Sequence, residues 1–305
     1  MSLKTIAIMG PTASGKTDLA IQLADALPAD IISVDSALVY RGMDIGTAKP
    51  SNALLSVAPH RLINLCDPSE TYSAGQFCVD AAREIQAISA EKRLPLLVGG
   101  TMLYFRELFH GIADLPKADL VIRAALEKKA EKIGWLALHE ELKRVDPVAA
   151  EKIKPQDSQR IQRALEVFLI TGNPISVLQK NKTPLLPEEN VTQIALIPED
   201  RAWLHARIAL RFEAMLAEGF IDEVKTLKDR GDLHKNMPSM RVVGYRQAWE
   251  YLEGECDFET MKARAIAATR QLAKRQLTWL RSWKNASVFD PRDPKLFEKV
   301  LSYSR

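Results

Sequence analysis

The 305-residue sequence is poor in cysteine and contains no long apolar run, no internal repeat and no low-complexity segment. Its three cysteines, Cys66, Cys78 and Cys256, are odd in number and widely spaced, so they fit neither a disulfide framework nor a zinc site. No apolar run approaches the roughly 20 residues that a membrane-spanning helix needs. No secretory signal precedes the first predicted strand. We therefore expect a cytoplasmic protein that does not associate with membranes.

The composition is that of an ordinary soluble globular protein, with 47% apolar and 27% charged residues. A chain of this length forms one large domain or two modest ones, each with a substantial core. The five histidines are scattered without the spacing of metal ligands, which favours structural or surface roles for them. The net charge of +3 excludes nothing by itself. The distribution of charge along the chain is more informative.

Acidic residues are absent from residues 260–289, where seven basic residues fall. A helix through this stretch, at about 100° per residue, places four basic residues on one face: Arg270, Lys274, Arg281 and Lys284. The opposite face is apolar and consists of Ala265, Ala268, Leu272, Trp279 and Trp283. A face with one sign of charge is typical of a polyanion-binding surface, whereas a merely solvated face usually mixes both signs. Arg264 and Arg275 lie near the apolar boundary, where a side chain can point into a site.

Residues 10–17 read GPTASGKT, the complete pattern of a phosphate-binding loop (P-loop). A strand is predicted before the loop, at residues 5–9, and a helical pattern follows it. In this context the glycines let backbone N–H groups surround phosphate oxygens, Lys16 adds a positive charge, and the Thr17 hydroxyl is a ligand for Mg²⁺. We therefore predict that the loop binds a di- or triphosphate. Its residues are Gly10, Pro11, Thr12, Ala13, Ser14, Gly15, Lys16 and Thr17.

Strands and helices alternate over the first ~110 residues, which is typical of an α/β fold with a mainly parallel sheet covered by helices. Strands are predicted at 31–34 and 94–98, and a helix at 73–90. Ligands in such folds bind at the carboxyl ends of the strands. The phosphate loop, Asp35 and Thr101 are therefore expected around one crevice.

The pattern becomes helical beyond residue 118, and a strand pattern returns only at 191–197. Helices are predicted at 120–133, 136–145 and 159–171. We interpret residues 118–188 as a helical insertion domain. Residues 1–117 and 189–305 then form the P-loop core, whose C-terminal region, from Arg201 onward, is predicted to be helical.

Asp35 is the only acidic residue well placed beside the phosphate loop, because the strand at 94–98 ends in glycines. It has three possible roles. It can support a metal and its water shell, act as a general base in the crevice, or cap a turn. Spacing alone does not separate them. The roles of Tyr104 and Phe105 are also undecided, because these residues can line a pocket or form the buried start of a helix.

An ordered set of motifs over nearly the whole chain resembles the tRNA dimethylallyltransferases, also called tRNA isopentenyltransferases. The longest is the segment 34–50, VDSALVYRGMDIGTAKP. The others, at the family's spacing, are 60–63 (HRLI), 72–77 (YSAGQF), 98–101 (VGGT), 157–166 (DSQRIQRALE), 240–247 (MRVVGYRQ) and 273–281 (AKRQLTWLR). A phosphate loop alone occurs in many unrelated enzymes, but this ordered set is specific.

The resemblance implies transfer of the dimethylallyl group of dimethylallyl diphosphate to the exocyclic N6 amine of adenosine 37. This adenosine lies 3′ of the anticodon in tRNAs that read codons beginning with U. The phosphate loop would then hold the diphosphate leaving group with Mg²⁺ on Thr17, and it need not bind ATP. The resemblance also implies that Asp35 is the catalytic base and that Thr101 contacts substrate near the reacting centre. We expect a monomer.

The resemblance places tRNA contacts in three segments and at two single residues. They comprise Asp35, Ser36, Ala37, Leu38, Thr101, Arg123, Gln159, Arg160, Ile161, Gln162, Arg163, Arg241, Val242, Val243, Gly244, Tyr245 and Arg246. Ile161 is apolar and is expected to face the core of the insertion. The basic helix adds Lys274, Arg275 and Arg281 as contacts to the anticodon stem.

Two other functions compete with a tRNA prenyltransferase. A P-loop kinase of a small metabolite explains the loop and the sheet, but not the acid-free basic helix. A nucleotide-gated RNA-binding module leaves Asp35 dispensable. Consumption of ATP distinguishes the first alternative, and the effect of substituting Asp35 distinguishes the second.

Overall fold

The computed structural model describes residues 4–180 and 182–304. The strands are β1 (Thr5–Met9), β2 (Ala29–Val34), β3 (His60–Arg61), β4 (Leu94–Gly99), β5 (Ile112–Ala113), β6 (Lys182–Thr183), β7 (Val191–Leu196) and β8 (Ser287–Phe289). The first helices are α1 (Lys16–Ala26), α2 (Asn52–Val57), α3 (Ala74–Ala90), α4 (Met102–His110), α5 (Leu120–Val145), α6 (Pro147–Lys152) and α7 (Ser158–Thr171). The others are α8 (Ile175–Leu178), α9 (Arg201–Ala217), α10 (Phe220–Asp229), α11 (Tyr245–Leu252), α12 (Phe258–Ser282) and α13 (Leu296–Ser304). A short 3₁₀ helix spans Glu188–Asn190.

The described residues form two compact units. Unit 1 combines the chain up to Phe109 with the chain from Leu185 onward, and unit 2 is His110–Pro184. The predicted insertion, 118–188, covers much of the same segment as unit 2. Within the described chain, no helix is long and apolar enough to span a membrane.

Unit 1 is built on a six-stranded sheet in the order β3-β2-β4-β1-β7-β8. Every neighbouring pair is parallel. The central strands are near-continuous apolar runs because helices cover both faces of such a sheet. All five residues of β1 are buried. The predicted α/β fold with a parallel sheet is confirmed.

The helix after β1 shows how the sheet is covered. The α1 residues Leu19, Ala20 and Leu23 are buried and belong to one core cluster with the strand residues Ile6 and Ile31. On α3, Ser73 and Gln76 form a reciprocal capping box, which satisfies two backbone donors and sets the start of the helix. Because β1, β2 and β4 pair in parallel, their carboxyl ends lie at one edge of the sheet.

The C-terminal region is not helical throughout, so the prediction of helix from Arg201 onward is wrong at β8. This strand pairs with β7, with Ser287 opposite Ile194 and Phe289 opposite Leu196. It has only three residues and lies at the edge of the sheet, so it is too short for a sequence pattern of alternating residues to reveal it.

Of the predicted apolar face of the basic helix, Ala265 is buried, whereas the other four residues are only half-buried. The residues of α12 that are buried are Met261, Ala265, Ala273, Leu277 and Leu280. Leu272 and Trp279 are only half-buried and line a cavity, and Trp283 follows the end of the helix. A helix that packs on a core and also lines a cavity carries apolar residues on two faces, which a single-stripe analysis merges.

Unit 2 has its own core, formed by α5, α6, α7 and α8. Gly134 interrupts α5 with a φ of 80°, which accounts for the two predicted helices, 120–133 and 136–145. Asp157 caps the start of α7 by accepting from the Arg160 N–H, and Gly172 ends it in the left-handed conformation. The strands β5 and β6 pair in antiparallel fashion, Ile112 with Thr183.

Candidate active site

The phosphate loop joins β1 to α1 at the edge of the sheet. Gly15 caps α1 with a φ of 87°, and Ala13 also has a positive φ of 62°. Left-handed backbone is uncommon for a residue other than glycine. Ala13 belongs to a core cluster with Leu204 and Ile208 of α9, which supports this conformation.

Lys16 curls back over the loop. Its Nζ donates to the Pro11 carbonyl at 2.6 Å and lies 3.5 Å from the Ser14 hydroxyl. Burial, and after it the positive charge of Arg211, lower the pKa of Lys16 to about 7, although Asp35 opposes both effects. The ammonium therefore lies in a site that lacks a full counter-charge. A bound polyanion would supply that charge.

Two arginines of α9 complete the loop and were missed by the sequence analysis. The Arg207 Nε donates to the Ala13 carbonyl at 2.8 Å, and the guanidinium stacks over Trp203 at 5.0 Å. Arg211, one turn later, lines the cavity beside Lys16. Burial lowers the pKa of Arg211, and Asp35 partly offsets this effect. The sequence carried a signal for these arginines. Arg207 and Arg211 are four positions apart on the same helix face as the apolar Leu204 and Ile208.

Asp35 and Thr101 face each other across the ends of β2 and β4. One Asp35 oxygen, Oδ1, accepts from the Ala37 N–H at 2.8 Å and lies 3.4 Å from the Leu38 N. The Thr101 hydroxyl accepts from the Ser36 N–H at 3.1 Å. Asp35 therefore caps a turn with one oxygen. Within residues 4–180 and 182–304, no hydrogen bond reaches its other oxygen. Asp35 can therefore cap the turn and also act as a general base or support a metal.

A cavity of about 660 Å³ contains these groups. Its wall includes Lys16, Thr17 and Arg211 together with Asp35 and Thr101. The remaining wall includes apolar and aromatic side chains, among them Tyr40, Tyr72, Phe212, Met215, Leu272 and Trp279. This arrangement suits a ligand with a charged head and an apolar tail.

Tyr104 and Phe105 belong to the core rather than to this wall. Both are at least 96% buried, and the Tyr104 ring stacks on Phe77 with the centroids 4.4 Å apart. Burial is also the main reason why the pKa of Tyr104 is raised well above its usual value. Of the two readings left open by the sequence, the buried start of a helix is correct.

The segment 241–246 divides into cavity-lining and buried residues. Arg241, Val242 and Val243 line the cavity. The Tyr245 side chain is fully buried and donates to Glu223 at 2.5 Å, and Gly244 is buried beside it. The structure therefore does not support a tRNA contact by the Tyr245 side chain, because no part of it reaches the surface.

Glu223 satisfies the hydroxyl of Tyr245, which is buried in an apolar cluster with Phe212 and Phe220. Its carboxylate also accepts from the backbone N–H groups of Asp44, Ile45 and Gly46, at 2.8, 2.7 and 3.1 Å. Gly46 lines the cavity and is followed by Thr47 and Ala48, which line it too. The motif residue Tyr245 thus supports a wall of the site through Glu223.

The basic residues of α12 and its end are arranged largely as predicted. Arg270, Lys274, Arg281 and Lys284 are all exposed. None of the four pairs with a carboxylate among the residues described. Arg275 lines the cavity, whereas Arg264 is exposed and lies 3.9 Å from Glu250.

Unit 2 holds the remaining predicted contacts. Glu166 is fully buried and accepts from Arg123, Arg163 and the Asp119 N–H. Burial raises the pKa of Glu166, but the two arginines outweigh this effect, so the pKa lies below its usual value. Both arginine side chains stay partly exposed, at 37% and 28%.

The other residues of the 159–163 segment differ in exposure. Gln159 and Arg160 are exposed, and Arg160 pairs with Asp157 at 2.7 Å. Gln162 donates to the Arg123 carbonyl at 3.2 Å. Ile161 is fully buried in the core of unit 2, so its side chain cannot contact RNA in this structure.

Comparison with known proteins identifies the family. The model of the IPP transferase family matches residues 38–283. The chain belongs to the IPP transferase family. The tRNA dimethylallyltransferases of two Coxiella burnetii strains, Dugway 5J108-111 and RSA 493, are each 56% identical to it over 299 residues. The alignment covers 98% of this chain and 96% of each relative. This family member is therefore an enzyme, a transferase.

Solved structures agree with this assignment. A full-length tRNA isopentenylpyrophosphate transferase from Bacillus halodurans is 38% identical, with a TM-score of 0.71, over 98% of this chain and 95% of that one. A eukaryotic dimethylallyltransferase acting on tRNA is 26% identical, with a TM-score of 0.80, over 97% of this chain and 75% of that one. The structural similarity to these proteins therefore extends over nearly the whole length of this chain.

Proposed function

We propose that this enzyme transfers the dimethylallyl group of dimethylallyl diphosphate to the exocyclic N6 amine of adenosine 37 in tRNAs that read codons beginning with U. The proposal rests mainly on one observation. The cavity combines a cationic phosphate loop, an apolar wall and a carboxylate with a free oxygen. These are the groups required by a diphosphate, an isoprenoid tail and an amine that must lose a proton.

The phosphate loop would stabilise the leaving group. Negative charge grows on the diphosphate as the C–O bond breaks, so Lys16 and Arg211 stabilise the transition state more than the bound substrate. No group of three or more acidic, histidine or cysteine ligands occurs among the described residues. Mg²⁺ fits the site only if substrate oxygens supply most ligands, with the exposed Thr17 hydroxyl completing them. When bound, the ion supplies further charge stabilisation to the diphosphate.

Asp35 would act as the general base. The adenine amine is a poor nucleophile because its lone pair is delocalised into the ring. A carboxylate that accepts its proton as the N–C bond forms contributes typically ~10²–10⁴-fold. The turn leaves Oδ2 for this task while Oδ1 holds the Ala37 N–H.

The target adenosine lies in a stacked anticodon loop, so it must be flipped out to reach the cavity. Flipping costs a few kcal/mol, which protein–RNA contacts must offset. The exposed basic residues of α12, including Lys274 and Arg281, suit contacts to the phosphates of the stem. Arg123, Gln159, Arg160 and Arg163 of unit 2 are proposed as further contacts.

The reaction is tested by incubating the enzyme with Mg²⁺, dimethylallyl diphosphate and an unmodified tRNA that has adenosines 3′ of its anticodon. Mass spectrometry of the digested RNA should show a dimethylallyl adduct on adenosine 37, with no ATP required. An adduct at another nucleotide would refute the assigned position. Consumption of ATP without an adduct would favour a kinase instead.

A further inference from the structure

Gln276 of α12 joins two parts of the cavity wall that are remote in the sequence. Its side-chain carbonyl, Oε1, accepts from the Thr12 N–H at 2.9 Å. Its Nε2 donates to the Gly100 carbonyl, also at 2.9 Å. Only one orientation of the amide satisfies both partners, because an N–H must face an oxygen and a carbonyl must face an N–H.

The two partners lie beside two different groups of the proposed reaction, the leaving diphosphate and the catalytic base. Thr12 is part of the phosphate loop. Gly100 precedes Thr101, whose hydroxyl accepts from the Ser36 N–H at 3.1 Å, next to Asp35. The contacts therefore connect the site of the diphosphate to the turn that carries the carboxylate. Gln276 is the link between them.

The fit at Gly100 is tight. A Cβ atom at this position would collide with the Gln276 Nε2 and would lie 3.1 Å from the Gly10 carbonyl. Gln276 itself is only half-exposed, between the core residues Ala273 and Leu277 of the same helix. The amide therefore fills the gap between the loop and the end of β4, and its backbone is held by the core.

We propose that Gln276 is a positioning residue that sets the separation between the bound diphosphate and the acceptor amine. This inference rests on the proposed prenyl transfer. Displacement requires the amine and the reacting carbon to be ~3–3.5 Å apart and aligned, and a misplacement of about 1 Å can cost on the order of 10²-fold in rate. Gln276 acts through the backbone of Thr12 and Gly100.

The test uses Gln276→Met, which keeps the length of the side chain but removes both hydrogen bonds. Gln86→Met, at an exposed position of α3, is the matched control. The single-turnover rate constant is measured with saturating dimethylallyl diphosphate and tRNA, together with the Kd of the diphosphate. We expect the rate constant to fall by about 10–100-fold, the Kd to change by less than about threefold, and the control to match the wild type.

A shorter amide is a second variant. Gln276→Asn keeps the functional group but is one methylene too short to reach both partners, so its rate constant should also fall. A merely structural role for Gln276 would lower the melting temperature and the fraction of active enzyme while leaving the rate constant of the active fraction unchanged. That result would overturn the proposal.

Amide exchange gives a readout that does not depend on the reaction. Hydrogen–deuterium exchange of peptides covering residues 10–17 should show faster exchange at Thr12 in Gln276→Met. Unchanged slow exchange would show that Gln276 does not hold this N–H. If wild-type enzyme forms no adduct, the proposed function fails. If wild type reacts and Gln276→Met reacts equally fast, only the positioning role fails.

Discussion

Asp35 accepts a hydrogen bond from the backbone N–H of Ala37 at 2.8 Å through one oxygen of its carboxylate, while the second oxygen has no hydrogen-bond partner among the residues described. A single side chain can therefore hold a turn and accept a proton. The two roles are separable by substitution, because an asparagine keeps the Oδ1 acceptor and loses the basic oxygen.

Asp35→Asn should lower single-turnover prenylation by about 10²–10⁴-fold, the usual contribution of a general base. The tRNA Kd should stay close to that of the wild type, because the turn at 35–38 is preserved. Asp35→Ala removes both functions and should also alter the turn. A parallel loss of tRNA affinity and rate in Asp35→Asn would contradict the assignment as base.

Binding of dimethylallyl diphosphate should weaken as pH rises above about 7. Below this pH the Lys16 ammonium is already protonated, whereas above it the free enzyme must take up a proton when the diphosphate binds. The Kd should then rise by about tenfold per pH unit, as expected for one coupled proton. Calorimetry in buffers of different ionisation enthalpy measures the proton uptake. Lys16→Arg keeps the charge at all these pH values and should abolish the uptake.

The lowered pKa of Lys16 also affects the stability of the fold. An ion-paired lysine, whose pKa is raised, makes the fold less stable as pH rises, whereas Lys16 should make it more stable. Between pH 7 and 10.5 the unfolded chain binds a proton on Lys16 that the folded chain does not. The contribution of this group to the free energy of unfolding therefore becomes more favourable as pH rises through this window. Denaturation of wild type and Lys16→Met at pH 7 and pH 9 should reveal it as a difference that disappears in the variant.

Lys274→Gln combined with Arg281→Gln should weaken tRNA binding for all substrate tRNAs alike. Each lost phosphate contact should reduce the slope of log K against log salt by about 0.7–0.9. Lys295→Gln removes another exposed lysine of unit 1 and is the control. Loss of affinity for only one tRNA sequence would indicate base contacts instead.

Gly46→Ala should destabilise the protein by about 1–3 kcal/mol, the usual cost of overpacking. Its Cβ would collide with the Phe220 ring and lie 2.6 Å from the Tyr245 ring, where neither side chain has room to move. Gly75→Ala, in the first turn of α3, meets only the Ser73 hydroxyl at 3.6 Å and should be neutral or mildly stabilising. Thermal denaturation of both variants measures the difference.

Local patterns predicted those parts of the structure that depend on local physics. The phosphate loop follows from four residues at fixed offsets, and the parallel strands follow from uninterrupted apolar runs such as 94–98. The ends of α7 are local features too, since Asp157 accepts from the Arg160 N–H at its start and Gly172 takes the left-handed conformation at its end. These features need few long-range contacts, so a single sequence reveals them.

Long-range contacts account for what the sequence did not reveal. Arg211 belongs to the site because α9 packs beside the phosphate loop. Tyr245 packs in an apolar cluster, and its hydroxyl donates to Glu223, which also binds the loop at 44–46. The strand β8 exists only because β7 offers it an edge. The roles of the site residues are predictions that the substitutions above test, and Mg²⁺ binding and the monomeric state stay predictions.

The order of the strands also constrains how unit 1 is made. β1 lies between β4 and β7, with Thr5 beside Val191. Nearly two hundred residues must therefore be synthesised after β1 before it can pair with β7. The edge β8 and the fully buried Val300, which belongs to the same core cluster as Leu19 and Leu23, come later still. A nascent chain that has only reached α12 therefore exposes an unpaired strand edge and uncovered apolar side chains on α1. We expect unit 1 to complete its fold only after α13 has been synthesised and to depend on protection from aggregation until then.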